Sequence, residues 1–435
     1  MKKPHNFVRL LRTAHGFVGC LGIALVTLGT PVPVEAADLA RADPLKEGFS
    51  ATGLARIDAF FKSEIEANRT PGAVLYIARN GKLVVHKAYG HLDKANGVPM
   101  REDAIFSIAS MTKVMTVAAA LTLTEEARLP LSAPVSKWFP EFKDAKLGVV
   151  DGQSHVTTEP LKRPLTVQDL MRHTTGLTYG ARGNTPIHKL FPPSSSGAAT
   201  RYTGSEFMAQ MAATPFLHEP GTVWDYGFGI DALGMVVERE SGKTLDGFMR
   251  ERIWSRLGMK DTTFHVPPAD RARVAQALPT DPLTGKPQSI AMLTAKIKFD
   301  CGGGCAFSTA PDYIRFGQML LNGGVLNGQR LLSPQTVSQM TSDHLGSHIQ
   351  NNVAVTEPGR MGYGFGLGVA VRKEKGVASV NGNPGDFFWN GANGTIFWAD
   401  PKERLVVVMM SAAPGEIRKI HREQLAALVY GAMEK

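Results

Sequence analysis

The chain places its strand patterns at its two ends and its helical patterns between them, and this order constrains the fold more than composition does. Near the start, Gly72 to Arg79 and Lys82 to Tyr89 read as two strands joined by Asn80-Gly81, the strongest short-range signal for an antiparallel hairpin. Strand patterns return only late, at Phe365 to Ala370, Phe387 to Trp398 and Leu405 to Met410. Residues 53–67 precede the hairpin with Leu54, Ile57, Phe60, Phe61 and Ile65 at helical spacing, and a last helix is expected from about Glu416 to Met433. Between these ends, Val167 to Arg172, Gly204 to Ala213, Ile230 to Ser241 and Thr244 to Leu257 carry helical patterns. A polar loop marked by Gly and Pro, Ala181 to Thr203, is placed to rim a pocket. Strands at both ends around a helical insert predict an α/β fold, with a discontinuous α/β domain over 45–124 and 266–435 and a helical subdomain over 125–265.

Residues 1–36 have the layout of a secretory signal. Lys2, Lys3, Arg9 and Arg12 form a basic start, Gly16 to Leu28 is apolar, and Val34-Glu35-Ala36 offers small residues for cleavage before Ala37. Those 13 apolar residues are too few to span a bilayer comfortably. Cys20 lies inside the apolar stretch rather than after it, which argues against lipidation. The mature chain is thus expected in the periplasm or the medium, without a stable membrane anchor. Losing four basic residues and Glu35 lowers the formal net charge from +9 to +6. Spread over the chain without a Lys/Arg block, that charge gives nucleic-acid binding little support.

One stretch carries chemistry: Phe106-Ser107-Ile108-Ala109-Ser110-Met111-Thr112-Lys113, the only S-x-x-K of the chain. The apolar run Val114 to Leu121 follows it and reads as a helix buried on most faces, ended before Pro130. Residues i and i+3 share a helix face, so the Lys113 amine can reach the Ser110 hydroxyl. Burial disfavours a charged amine, and a neutral one beside a serine can take its proton. At a helix start, Ser110 also has backbone N–H groups suited to an oxyanion. Spacing alone does not separate this reading from a serine cap beside an unrelated lysine; the later partners decide.

Other signals are weaker. There is no G-x-S-x-G and no H-E-x-x-H. Glu240 to Thr244 has the tail of a phosphate loop, but Val237 stands where its first Gly belongs. Cys301-Gly302-Gly303-Gly304-Cys305 is expected to close a small-loop disulfide in an oxidising compartment, with two buried thiols as the alternative. No second Cys/His pair with ligand spacing accompanies it, so neither a metal nor an organic cofactor is called for.

Two further stretches resemble a family. Trp224-Asp225-Tyr226-Gly227-Phe228-Gly229-Ile230-Asp231-Ala232-Leu233-Gly234 is similar to the W-x-Y-S-x-x-x-D-x-L-G segment of family VIII carboxylesterases, serine esterases on the class C β-lactamase fold. Phe388-Trp389-Asn390-Gly391-Ala392-Asn393-Gly394-Thr395 resembles their W-x-G strand, which stands where β-lactamases and penicillin-binding proteins carry K-T-G. Ser110 to Lys113 matches their S-x-x-K, and lesser likenesses lie at Asp169 to Leu177 and Phe307 to Tyr313. The resemblance covers about residues 50 to 412. It implies a β-lactamase/transpeptidase-like fold, a mainly antiparallel sheet flanked by helices with a helical subdomain and the active site between.

The same resemblance implies roles. Ser110 would attack an acyl carbonyl, with Lys113 and Tyr226 sharing the acid–base work. A phenol keeps its proton near neutral pH unless a cation sits beside it, so Tyr226 would need Lys113 close by. The oxyanion hole would be the N–H groups of Ser110 and Ala392, with Gly391 letting its strand approach the substrate closely. Trp389 stands in place of the K-T-G ammonium, which argues for esters over penicillins, and Phe228 in place of the Asn of Y-x-N argues the same way. Gly227 and Asn390 depart from the esterase pattern. Trp389, Asn390, Gly391 and Phe228 are the expected substrate contacts. His173 is expected to bond loop backbone, and Asp231 either to order the Tyr226 loop or to be a plain surface or cap residue. The expected substrate is a small acyl ester or amide. A β-lactamase, a D-amino-acid peptidase or amide hydrolase, and a non-catalytic binding module on the same fold are the alternatives.

Overall fold

The hairpin Gly72–Arg79 (β1) and Lys82–Asp93 (β2) forms as its Asn-Gly turn dictates, Asn80 taking φ 55° and Gly81 φ 75°. Alone such a ribbon is marginal in water; its partner comes from the far end of the chain. In the computed structural model, which describes residues 38–434, Leu405–Ser411 pairs antiparallel with β1, Ala73 opposite Ser411 and Arg79 opposite Leu405. Numbering Val98–Pro99 as β3, Tyr363–Phe365 as β4, Ala370–Arg372 as β5, Phe387–Asn390 as β6, Ile396–Asp400 as β7 and Leu405–Ser411 as β8, the sheet runs β4-β5-β6-β7-β8-β1-β2-β3. Every neighbouring pair is antiparallel.

β1 and β8 are buried along their whole length because helices cover both faces. Alternation assigns the faces. Met409 and Ser411 share a small cavity with Phe61 of helix α1 (Ala51–Glu66) and His421 of helix α5 (Ile417–Gly431). Phe397, cross-strand partner of Val408, meets Tyr313 of helix α4 (Ala310–Leu321) on the opposite face, ring centroids 5.3 Å apart. Glu64 of α1 bonds His421 of α5 at 2.8 Å and Arg69 at 2.7 Å, tying the outer helices together.

Helix α2 (Thr112–Glu125) is buried from Thr112 to Leu123, as expected of a helix with almost no polar side. It packs on helix α3 (Gly229–Ser241), which ends at Gly242 in the left-handed conformation.

Four details differ from the sequence reading. The stretch Phe387 to Trp398 is two strands with a turn at residues 391–395 rather than one. Phe365 to Ala370 is the turn between β4 and β5, where Gly368 takes φ 79°. A two-stranded sheet, Lys146–Val150 with Val156–Pro160, lies among the helices; its outer strand is mostly exposed and has no apolar alternation to signal it. The loop Ala181 to Thr203 contains a helix, Ser195–Arg201, whose cap Ser194 accepts from the Gly197 N–H at 3.2 Å. The expected signal segment 1–36 lies outside the described residues. No helix among the described residues is long and apolar enough to cross a membrane.

Candidate active site

Ser110 sits in a short 3-10 turn, Ala109–Met111, that runs into α2. The residue before it is strained: Ala109 takes φ 43°, a left-handed conformation a non-glycine residue adopts at a cost of about 1 kcal/mol. Its surroundings hold it there. Thr112 Oγ1 donates to the Ala109 carbonyl at 2.6 Å and accepts from the Ala306 N–H at 3.1 Å. From the sheet side, Asn393 Nδ2 donates to Ser107 Oγ at 3.0 Å and Thr395 Oγ1 to the Ile108 carbonyl at 3.3 Å. Gly391 is a necessity of this junction, because a Cβ there would lie 2.2 Å from the Ile108 carbonyl oxygen. The close approach it permits in the structure is to the nucleophile segment. Ala392 follows in the exposed turn, just past the end of β6.

Lys113, one helical turn on, is fully buried, and its Nζ donates to three oxygens: Ser110 Oγ at 3.4 Å, Tyr179 OH at 3.1 Å and the Gly303 carbonyl. Three acceptors match the three N–H groups of an ammonium. The network continues inward. Tyr179 OH lies 2.8 Å from Ser195 Oγ and 3.4 Å from Asp231 Oδ2. Ser195 donates to Asp231 Oδ2 at 2.8 Å, and the Gly303 N–H donates to Asp231 Oδ1 at 2.9 Å. Burial pushes the Asp231 carboxyl up, and the Lys113 charge opposes that. Burial, and then Asp231, push the Tyr179 phenol well above its ordinary range, so it keeps its proton.

On the other side of the amine stands an aromatic wall. Lys113 Nζ lies over the Tyr226 ring, 4.6 Å from its centroid, in cation–π contact rather than in line with the hydroxyl. The Tyr226 oxygen accepts instead from Trp389 Nε1 at 3.3 Å. His173 packs on Tyr226 with ring centroids 4.6 Å apart, and Phe365 meets Trp389 at 5.2 Å. Burial, and then Lys113, hold the His173 imidazole well below 6.5 and so neutral. Its Nδ1 accepts from the Gly227 N–H at 3.5 Å and its carbonyl from the Asp225 N–H at 2.9 Å, the loop-bonding role expected of it. Arg182 sits 5.5 Å from the same Tyr226 ring.

The fold thus brings Ser110, Lys113, Tyr226 and Trp389 together. Phe228 is fully covered and packs behind Tyr179 with ring centroids 4.6 Å apart, which makes it a support rather than a cleft surface. Trp389 is only 1% exposed; what it offers the site is its N–H to Tyr226. Asn390 is buried, and its Nδ2 has no hydrogen-bond partner among the described residues. Asp231 is neither a surface nor a simple cap residue: it is fully buried and bonded to Ser195, Tyr179 and Gly303. Sequence reasoning missed Tyr179, Ser195 and the Gly303 carbonyl. Tyr179 had a usable signal, standing two residues after the Asp169 to Leu177 block. The expected disulfide joins Cys301 to Cys305. Two large surface cavities, about 780 and 740 Å³, are lined by other residues, among them Met292 and Phe307 in one and Glu238 and Lys243 in the other.

A buried amine on a serine, on a mainly antiparallel sheet flanked by helices, defines a class. The beta-lactamase family profile matches residues 57–430, and the chain belongs to that family. It is 33% identical over 364 residues to Protein Rv1367c of Mycobacterium tuberculosis, covering 81% of this chain and 88% of that protein. It is 29% identical over 383 residues to esterase EstB of Burkholderia gladioli, covering 85% and 93%. Among solved structures, EstCE1, a hydrolase with promiscuous acyltransferase activity, superposes with a TM-score of 0.73 at 25% identity, covering 87% of this chain and 99% of that one. The protein is a serine hydrolase of the β-lactamase fold.

Proposed function

We propose that the protein is an exported carboxylesterase that hydrolyses small acyl esters through an acyl-enzyme on Ser110. The observation that carries this reading is the Lys113 amine, buried 3.4 Å from Ser110 Oγ with two further oxygens around it. In this reading Ser110 Oγ attacks the ester carbonyl and its proton moves to the Lys113 amine. The oxyanion lies against the N–H groups of Ser110 and Ala392. The proton then reaches the departing alkoxide by way of Tyr226, whose oxygen is held by the Trp389 N–H and whose own hydrogen is left to point into the cleft. Water attacks the acyl carbonyl, reversing the proton path and freeing the acid. The α/β portion, 45–124 and 266–435, supplies Ser110, Lys113 and the Ala392 turn; the helical portion, 125–265, supplies Tyr179, Asp231 and Tyr226.

Esters are favoured over lactams because an indole, covered and bonded to Tyr226, stands where β-lactamases offer an ammonium to the substrate carboxylate. A second reading rests on Arg182. Its side chain is 23% exposed beside Tyr226, one of its nitrogens donates to Thr356 Oγ1 at 3.0 Å and its ion pair with Asp225 is long, at 3.8 Å, so a substrate carboxylate has a cation to meet there. That would admit β-lactams or D-amino-acid amides. Transfer of the acyl group to an alcohol or amine uses the same intermediate and is supported by the likeness to EstCE1.

Hydrolysis of p-nitrophenyl acetate and butyrate against nitrocefin, with wild type and Ser110→Ala, separates these. Ester turnover lost with Ser110, and slow or no nitrocefin turnover, is the expected result. Nitrocefin rates rivalling the esters would assign the protein to the lactamases and Arg182 to the carboxylate.

A further inference from the structure

The loop from Cys301 to Cys305 lies inside the site. Both cysteines are fully buried, their Cα atoms 5.3 Å apart across the disulfide. Two of the glycines between them, Gly302 and Gly303, meet both helices of the site with main-chain atoms. The Gly302 carbonyl accepts from Thr116 Oγ1 at 2.9 Å, and the Gly303 carbonyl accepts from Lys113 Nζ, both donors on α2. The Gly303 N–H donates to Asp231 Oδ1 of α3 at 2.9 Å. Neither Gly302 nor Gly303 has room for a side chain. A Cβ on Gly303 would lie 2.2 Å from Asp231 Oδ2, and one on Gly302 would lie 2.8 Å from Thr116 Cγ2.

A bridge between residues four apart closes a very short loop, and such a closure removes little entropy from the unfolded chain. Its effect is local: it fixes the direction of the peptide groups it encloses. That direction matters to an amine. Lys113 acts as a base in its neutral form, which has two N–H groups and one lone pair, whereas a carbonyl oxygen only accepts. With Gly303 O and Tyr179 OH taking the two N–H groups, the lone pair is left to face Ser110 Oγ.

We propose that Gly303 is a positioning residue of this site and that the Cys301–Cys305 bridge is the staple holding its carbonyl against Lys113. Cutting the bridge lets the Gly303 peptide turn, the lone pair loses its aim, and proton removal from Ser110 slows while substrate binding is kept. Reduction by a dithiol does the cutting: two electrons and two protons pass to the disulfide, giving two thiols and a cyclic oxidised dithiol. The proposal rests on the acyl-enzyme reading above.

The test compares wild type, Cys301→Ala/Cys305→Ala and Thr116→Val. It measures kcat and KM for p-nitrophenyl acetate, the rate and final stoichiometry of Ser110 labelling by a phosphonate, and the thermal melt. For the double variant, kcat and the labelling rate are expected to fall ~10-fold, a fraction of what a general base contributes. KM should stay within about twofold and full labelling should still be reached. Thr116→Val, which frees the Gly302 carbonyl, should show a smaller loss of the same kind. Dithiothreitol should slow wild type by the same factor, reoxidation should restore it, and the double variant should not respond to dithiothreitol. A double variant that melts at lower temperature with kcat unchanged overturns the proposal. If that variant fails to fold, unchanged kcat in the reduced, still-folded wild type overturns it. Wild type that takes no label at Ser110 defeats the acyl-enzyme reading, and this proposal falls with it.

Discussion

Lys113 has two unlike neighbourhoods. Toward Tyr179, Ser195, Asp231 and Gly303 every partner is a hydrogen-bonding group, and the links run without a break from the amine to a carboxylate. Toward Tyr226, Trp389, His173 and Phe365 the partners are rings, and one hydrogen bond at 3.3 Å is the link to the Tyr226 hydroxyl. The difference separates two tasks. A buried ammonium is tolerated only with its charge answered and its donors satisfied, which the polar side does. The aromatic side excludes water and fixes shape, and it leaves the Tyr226 hydrogen uncommitted. Charge is balanced on one side of the amine so that a proton can move on the other.

Removing the amine breaks both sides at once. Lys113→Met keeps most of the volume but should lower kcat for p-nitrophenyl acetate by roughly 10²–10⁴, the usual worth of a general base. It also leaves Asp231 buried without its cation, so the melting temperature should fall with the rate.

The next largest effects should tell the sides apart. Asp231→Asn puts an amide where Ser195 and the Gly303 N–H both donate, and should cost about 1–3 kcal/mol of stability by chemical denaturation. Tyr226→Phe, by contrast, should lower kcat while stability falls by no more than about 1 kcal/mol, because its hydroxyl accepts only the Trp389 N–H. A Tyr226→Phe variant that loses stability as Asp231→Asn does would erase the distinction.

Acid should act on the aromatic side. His173 is held neutral, well below 6.5, in the fold, while an unfolded histidine binds a proton below about 6.5. The unfolded state therefore takes up more protons there, and stability falls as pH drops through 6.5. His173→Asn, which tolerates the φ of 57° at this position, should flatten part of that slope in melts between pH 5 and 8. Asp312 of α4 should act with opposite sign. Burial pushes it up to about 7, so stability falls as pH rises from about 4 to 7, and Asp312→Asn should remove that trend. Trp389→Phe deletes the same hydrogen bond and part of a buried ring, and should cost about 2 kcal/mol, with KM for small esters little changed.

The two neighbourhoods were also unequally legible in the sequence. The aromatic side was carried by contiguous motifs, Trp224 to Gly234 and Phe388 to Thr395, so Tyr226 and Trp389 could be named before the fold was known. On the polar side only Asp231 fell within such a motif; its partners are single residues on separate segments: Tyr179 after the Val167–Met171 helix, Ser195 opening another, and Gly303 acting through its backbone. A main-chain carbonyl leaves no trace in residue identity. The fold followed a similar rule. The Asn80-Gly81 hairpin and the apolar run of α2 are local and were readable; the pairing of β1 with β8, more than 300 residues apart, was not, nor was the exposed hairpin at residues 146–160.

The most direct test of the central claim is to trap the intermediate. Wild type mixed with p-nitrophenyl butyrate and quenched in acid within the first turnovers should gain the mass of one butyryl group, and peptide mapping should place it on Ser110. Lys113→Met should accumulate that adduct far more slowly, and Ser110→Ala should show none. Ester turnover by wild type with no adduct on Ser110, or an adduct that forms equally fast without Lys113, would contradict the account.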